Sequence, residues 1–436
     1  MPARIRITLL TVLILFAMVA FVYVRSFVDP RPHGIILFVV EGLGVEMLQA
    51  GRLYAAESGS KLVIEQLPHT GLASVHSSDN LVPDSAASAT ALSTGVKTPN
   101  GSIGIDSQDK RLNNLLYTAQ RRGRATGLIS NSDLTCPGAA AFYSHVPHAQ
   151  MRQQIAEQAL DSAHIDIVLG GGADFFLPVH DGTGYRDDGR DLVKEAEKKG
   201  YAVVRTADAL EGLFPWLNRR VLGLFSQGDF AYQADLEHWF PNQKRPTNQP
   251  RLSDMVRKSI RLLETDIGGY FLIVHSGLIG SAAENNQAKR ALLELSELDE
   301  ALKTALDYSG KRTTVVVAST HSCGGPKIAG DAGISLSSTT PPDDFWTRFT
   351  WVSGPSAQPS QPADIALWKS KNALEVSPSK LKSQLLPWSR QQAFLYREKA
   401  LGSAEDVIVA GQGPGTDALR GFLDNTAIFQ IIGSQL

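Results

Sequence analysis

The stretch Ile35–Val40 reads IILFVV and carries no polar residue. A strand with one wet face alternates apolar and polar side chains, so an unbroken run belongs to a strand covered on both faces. Similar β-rich runs recur at Thr126–Ser130, Ile165–Leu169, Val221–Phe225, Phe271–His275, Thr313–Ala318 and Val407–Ala410. Helical patterns lie between them at Ala86–Thr94, Arg111–Arg122, Met151–Ala163, Gly189–Lys199, Leu252–Glu264 and Ala288–Tyr308. Alternating strands and helices of this kind predict a three-layer α/β/α sandwich with a largely parallel central sheet. Two stretches rich in Pro, Gln and Ser, Pro241–Arg251 and Gly354–Ala363, read as surface excursions. The chain has 436 residues, 43% hydrophobic and 20% charged, and no break in composition divides it. A net charge of −2 argues against a polyanionic partner, so nucleic acid is not expected.

The first residues raise a different expectation. After Arg4 and Arg6, the run Ile7–Val24 is free of charge until Arg25. As a helix it would extend about 27 Å, near the thickness of a bilayer core. The sequence therefore divides into a basic terminus (1–6), a transmembrane anchor (7–24), a linker (25–33) and a single body (34–436). This predicts membrane attachment by a single N-terminal anchor, with the body exported to a periplasmic or extracellular space. A cleaved signal peptide is the alternative, although no small-x-small cleavage site follows.

In parallel α/β sheets, ligand sites collect beyond the carboxyl ends of the strands. The segments to read are therefore EGLG after Val40, NSDLTCPG after Ser130, SGLIGSAAENN after His275 and STHSCGG after Ala318. A further segment, Pro83–Asp106, sets Ser85 after Asp84 at the start of a helix made of small residues. Such residues supply little core volume but let a backbone and its hydroxyls approach something closely. A helix N-terminus also directs unpaired N–H groups at whatever sits there, which suits an anion. The simpler reading is that Asp84 or Ser85 only caps the helix.

The stretch around Asp84–Ser85 resembles the serine-nucleophile motif of the alkaline phosphatase family. Further matches follow in the family's order: GIILFVVEGLG from Gly34, AAFYSHV from Ala140, DIVLGGGADFFLP from Asp166, RDDGRDLVKEAEKKGY from Arg186, VVVASTHSCGG from Val315 and AEDVIVAGQGPG from Ala404. The resemblance implies phosphomonoester hydrolysis through a phosphoserine, with two zinc ions, usually a magnesium ion, and an arginine clamp on the phosphoryl oxygens. Followed residue by residue, it puts the nucleophile on Ser85 and the metal-bridging carboxylate on Glu41. It puts the magnesium-site loop residue on Cys136 and its threonine on Gly138. The clamp falls on Ala149, with Arg152 nearby. The magnesium glutamate becomes His275, a zinc aspartate Gly280 and a zinc histidine Glu284. A further zinc aspartate becomes Thr320, its neighbouring histidine persists as His321, and the last zinc histidine becomes Gly402.

Against that pattern, the two-zinc-plus-magnesium set is not expected to be complete, leaving no metal or a single zinc. The leading reading is a pseudo-phosphatase that keeps Ser85 and a pocket for a phosphate or phosphoester ligand. The alternative is a hydrolase with a rebuilt single-metal site drawn from Glu41, Cys136, His275, Glu284, His321 and Cys323, in which His321 serves as general base for Ser85. A different anionic ester or a purely structural role stays open. Cys136 and Cys323 are open to three readings: a disulfide across the altered metal site, buried thiols, or metal ligands. Family resemblance implies a homodimer.

Overall fold

The computed structural model describes residues 3–23, 31–57, 59–180, 184–239, 249–308, 310–328, 349–355 and 393–436. A ten-stranded sheet forms its centre: β1 (Gly34–Val40), β2 (His69–Ser74), β3 (Ala125–Asp133), β4 (Ile167–Gly171), β5 (Ala202–Val204), β6 (Val221–Leu224), β7 (Tyr270–Ser276), β8 (Thr313–Ser319), β9 (Val407–Gln412) and β10 (Gly421–Asp424). Their order across the sheet is β10-β2-β9-β8-β1-β7-β3-β4-β6-β5. Only β9 runs against its neighbours, pairing antiparallel with β8 and β2. The expected three-layer sandwich with a largely parallel sheet is present.

The apolar run that opens the domain is explained by its two faces. Ile36, Phe38 and Val40 enter one buried cluster, with Leu292 and Leu295 of the helix Ala288–Tyr308. Ile35, Leu37 and Val39 enter the other, with Ala86 and Leu92 of the helix Ser85–Thr94. Side chains alternate across a strand, so both sets must be apolar when helices cover both faces. All seven strands read from the sequence form, with ends shifted by up to three residues. The sheet strands β2, β5 and β10 were not anticipated. β5 has three residues, while HTGLAS of β2 has an exposed or half-exposed residue at four of its six positions. Neither gives a sustained apolar pattern. Of the two expected excursions, 241–248 and 356–363 lie outside the described residues.

The membrane anchor is not supported. The N-terminal run does form a helix, Ala3–Tyr23. However, among the described residues no helix is long and apolar enough to cross a membrane. The attachment to a membrane, and the periplasmic or extracellular placement that followed from it, are withdrawn.

Candidate active site

β1 lies at the middle of the sheet, hydrogen-bonded to β7 on one side and β8 on the other, with Val40 opposite both Ser276 and Ser319. Glu41 therefore leaves the sheet at the centre of its carboxyl edge. Its amide donates to the Ser276 carbonyl at 3.0 Å, and the Gly42 amide donates to the His321 carbonyl at 3.0 Å. Gly42 has φ +80°, and a Cβ there would stand 2.6 Å from the Gly280 Cα. Only glycine allows the chain to turn so sharply here. Strand alternation then sets the side chains: Ile35, Leu37 and Val39 share a cluster with Phe271, Ile273, Leu128 and Ala318. Continuing that period puts Glu41, His275, Ser130 and Thr320 on one face, beneath the helix Ser85–Thr94.

Asp84 caps that helix. Its Oδ1 accepts from the Ala87 amide at 2.8 Å and its Oδ2 from the Gly101 amide at 2.6 Å. Gly95 closes the other end in the left-handed conformation. Capping thus falls to Asp84, and the half-exposed Ser85 is left for another partner. The Ser85 hydroxyl donates to Glu41 Oε1 at 2.7 Å. His275 Nε2 lies 3.0 Å from the same oxygen. On the far side of its ring, His275 Nδ1 meets the Ser130 hydroxyl at 2.9 Å and the Ser132 hydroxyl at 3.3 Å. A carboxylate oxygen only accepts, so His275 Nε2–H donates to Glu41. His275 is fully buried. Burial acts to raise the Glu41 pKa, but the His275 hydrogen bond, the charges of His275 and His321 and the Ser85 hydroxyl together hold it below its ordinary value.

Gly138 marks how closely this group is packed. A Cβ on Gly138 would sit 2.0 Å from Glu41 Oε1 and 2.5 Å from His275 Nε2. The space that a side chain at 138 would fill is taken by the Glu41–His275 pair.

The other candidates spread outward. Cys136 Sγ lies 3.9 Å from Asp229 Oδ1 and 3.7 Å from Arg152 Nη2. Burial, followed by the charges of Asp229, Asp133 and Glu41, pushes its thiol well above the ordinary value. Arg152 is committed: it pairs with Asp133 at 2.8 Å, donates to the Thr135 hydroxyl at 2.8 Å and lies over the Phe175 ring. Ala149 offers no charge. His321 Nδ1 bonds the hydroxyl of Thr320 at 2.9 Å, and the partner of the Ser85 hydroxyl is Glu41 rather than His321. Glu284 pairs with Lys399 at 3.1 Å on the surface. Cys323 is buried in a two-residue strand opposite Gly402, its thiol raised well above the ordinary value by burial and then by Glu284 and Glu41.

Cys136 and Cys323 are free thiols, which removes the disulfide. Among the described residues, no three His, Cys, Asp or Glu side chains converge as a metal-holding group. Glu41, His275 and Ser85 are brought together, while Cys136, Glu284 and Cys323 have other neighbours. The direct bond from Ser85 to Glu41, the Ser130–Ser132 support of His275 and the Arg152–Asp133 pair were not anticipated. Strand parity alone, counted from Ile35 and Phe271, would have shown that Glu41 and His275 face the same way.

The sequence profile of the family described as "Alkaline phosphatase" matches residues 33–436. Alkaline phosphatase 4 of Bacillus subtilis is 28% identical over 437 residues, covering 92% of this chain and 88% of that protein. The alkaline phosphatase of Escherichia coli is 31% identical, covering 70% of this chain and 73% of that one. Among solved structures, the alkaline phosphatase of Thermus thermophilus superposes with a TM-score of 0.72 at 25% identity, covering 94% of this chain and 92% of that chain.

Proposed function

Since the chain belongs to the alkaline phosphatase family, whose members are phosphomonoesterases by resemblance and usually use zinc and magnesium, we propose that it is a pseudo-phosphatase towards phosphomonoesters. The observation that carries this reading is the direct contact of His275 Nε2 with Glu41 Oε1 at 3.0 Å. In a metal centre, carboxylate oxygens face a cation, and zinc needs at least three protein donors at fixed geometry. Here that oxygen already accepts from an imidazole and from Ser85. The position matched to a magnesium threonine is Gly138, where a side chain would collide with the pair. Gly280 and Gly402 stand at two zinc-ligand positions, and a third, Glu284, is paired with Lys399. The residues present do not fit the family's metal set.

Without metals or an arginine clamp, Ser85 has little help against a dianionic phosphoryl group. Each such element supplies several kcal/mol of transition-state stabilisation, and each ~1.4 kcal/mol is tenfold in rate. The negative charge held at Glu41 also weighs against a phosphate resting beside Ser85. The rebuilt single-zinc site has less support, because Cys136 lies against Asp229 and Arg152 and Glu284 pairs with Lys399, away from the Glu41–His275 pair. The test is hydrolysis of an aryl phosphate by purified protein with added zinc and magnesium. Rates equal to Ser85→Ala support the proposal, and fast Ser85-dependent turnover refutes it.

A further inference from the structure

We infer that Ser85 is a metal-independent nucleophile towards uncharged carboxylic esters, with Glu41 as its base and His275 as the residue that positions Glu41. This rests on the reading that no metal activates Ser85. A serine hydroxyl becomes a useful nucleophile when a base accepts its proton within hydrogen-bond distance and a third group orients that base. The three groups meet those distances: Ser85 Oγ to Glu41 Oε1 is 2.7 Å, and Glu41 Oε1 to His275 Nε2 is 3.0 Å. The orienting group is itself fixed, because Ser130 and Ser132 hold the far ring nitrogen of His275. Glu41 is mostly covered, with 14% of its side chain exposed, while Ser85 is half-exposed.

Charge selects the ester. Ser85 lies against a carboxylate, and the nearby guanidinium of Arg152 is bound to Asp133. An anionic ester would be repelled, whereas an uncharged one brings no charge to the encounter. A negative charge that develops later can be met at the helix start. Among the described residues, the Ser85 and Ala86 amides bond to no acceptor, whereas the Ala87 amide is taken by Asp84. In the step itself, Ser85 Oγ forms a bond to the carbonyl carbon and its proton passes to Glu41 Oε1. The carbon–oxygen bond to the alcohol then breaks, and the alcohol departs with that proton. The products are acyl-Ser85 and the free alcohol, with no oxidant, reductant or metal consumed.

The experiment uses the full chain in excess chelator with p-nitrophenyl acetate as probe. The expected result is a burst of p-nitrophenol close to one equivalent, with the acetyl group located on Ser85 by peptide mass analysis and no burst in Ser85→Ala. Glu41→Gln is expected to slow acylation by roughly a hundredfold or more. Glu41→Asp, which keeps a carboxylate there, is expected to retain part of the burst that Glu41→Gln loses, which keeps the test valid even if one variant misfolds. His275→Gln should lower the acylation rate constant while leaving half-saturation by the probe unchanged, a split that a purely packing role for His275 would not produce. Absence of acetyl-Ser85 in chelator, or equal acylation by Glu41→Gln, would overturn the inference. Zinc-dependent phosphomonoester turnover is a separate outcome that would remove the pseudo-phosphatase reading on which the inference rests.

Discussion

Ser85 and His275 both direct a donor at Oε1 of Glu41, from 2.7 Å and 3.0 Å. One carboxylate oxygen thus accepts from both a hydroxyl and an imidazole.

The close packing at Gly138 makes it a sensitive position. Gly138→Thr would drive a side chain into Glu41 and His275, and overpacking of this kind costs about 1–3 kcal/mol. Urea denaturation should show a lower midpoint with an unchanged slope. Undiminished stability would mean that the pair yields easily, and the packing argument would then fail.

Acid stability should depend on Glu41. Its folded pKa lies below the ordinary carboxyl value, so its ionised form contributes stability above the unfolded pKa. That contribution is lost as the pH falls through the folded pKa. Thermal melts from pH 7 to pH 3 should fall more steeply for the unmodified chain than for Glu41→Gln. Parallel curves would contradict the depressed value.

The thiols give a chemical readout. Cys136 and Cys323 are unpaired, with both pKa values raised well above ordinary by burial first. Intact mass should be unchanged by reductant, and alkylation at neutral pH should be slow, since the thiolate is the reactive form. Half-buried Cys136 should react before buried Cys323. A mass deficit of two hydrogens restored by reductant would contradict the free thiols.

Zinc should not stabilise the fold. A ligand at a hundred times its dissociation constant adds about 2.7 kcal/mol to a protein that binds it only when folded. The account predicts no rise in Tm on adding zinc after chelator treatment. A rise of several degrees that Glu41→Gln abolishes would show a metal held at this site.

Much of the fold was legible because parallel strands advertise themselves. IILFVV, VVVA and the runs between them have no wet face, and the strand order then fixes where the loops gather. β2 and β10 were missed because their residues are partly exposed near one edge of the sheet, where apolar pattern is weak. In the site, Ser85, Glu41 and His275 were all singled out, but as the remains of a metal set. What the sequence did not display is that Glu41 and His275 bond to one another, since 234 residues separate them and only the β1–β7 pairing, which sets His275 beside Val39, brings them close. Arg152 was noted beside the clamp position, but its pairing with Asp133 was not, because that pairing depends on the turn around Thr135. The apolar run at Ile7–Val24 misled most, because hydropathy over a window does not establish that a helix spans a bilayer.

The most direct test measures metal content and aryl phosphate hydrolysis on a single preparation, supplied with zinc and magnesium and compared with Ser85→Ala. The account predicts no stoichiometric metal and no phosphate release above that variant. Stoichiometric zinc accompanied by rapid, Ser85-dependent phosphate release would contradict it.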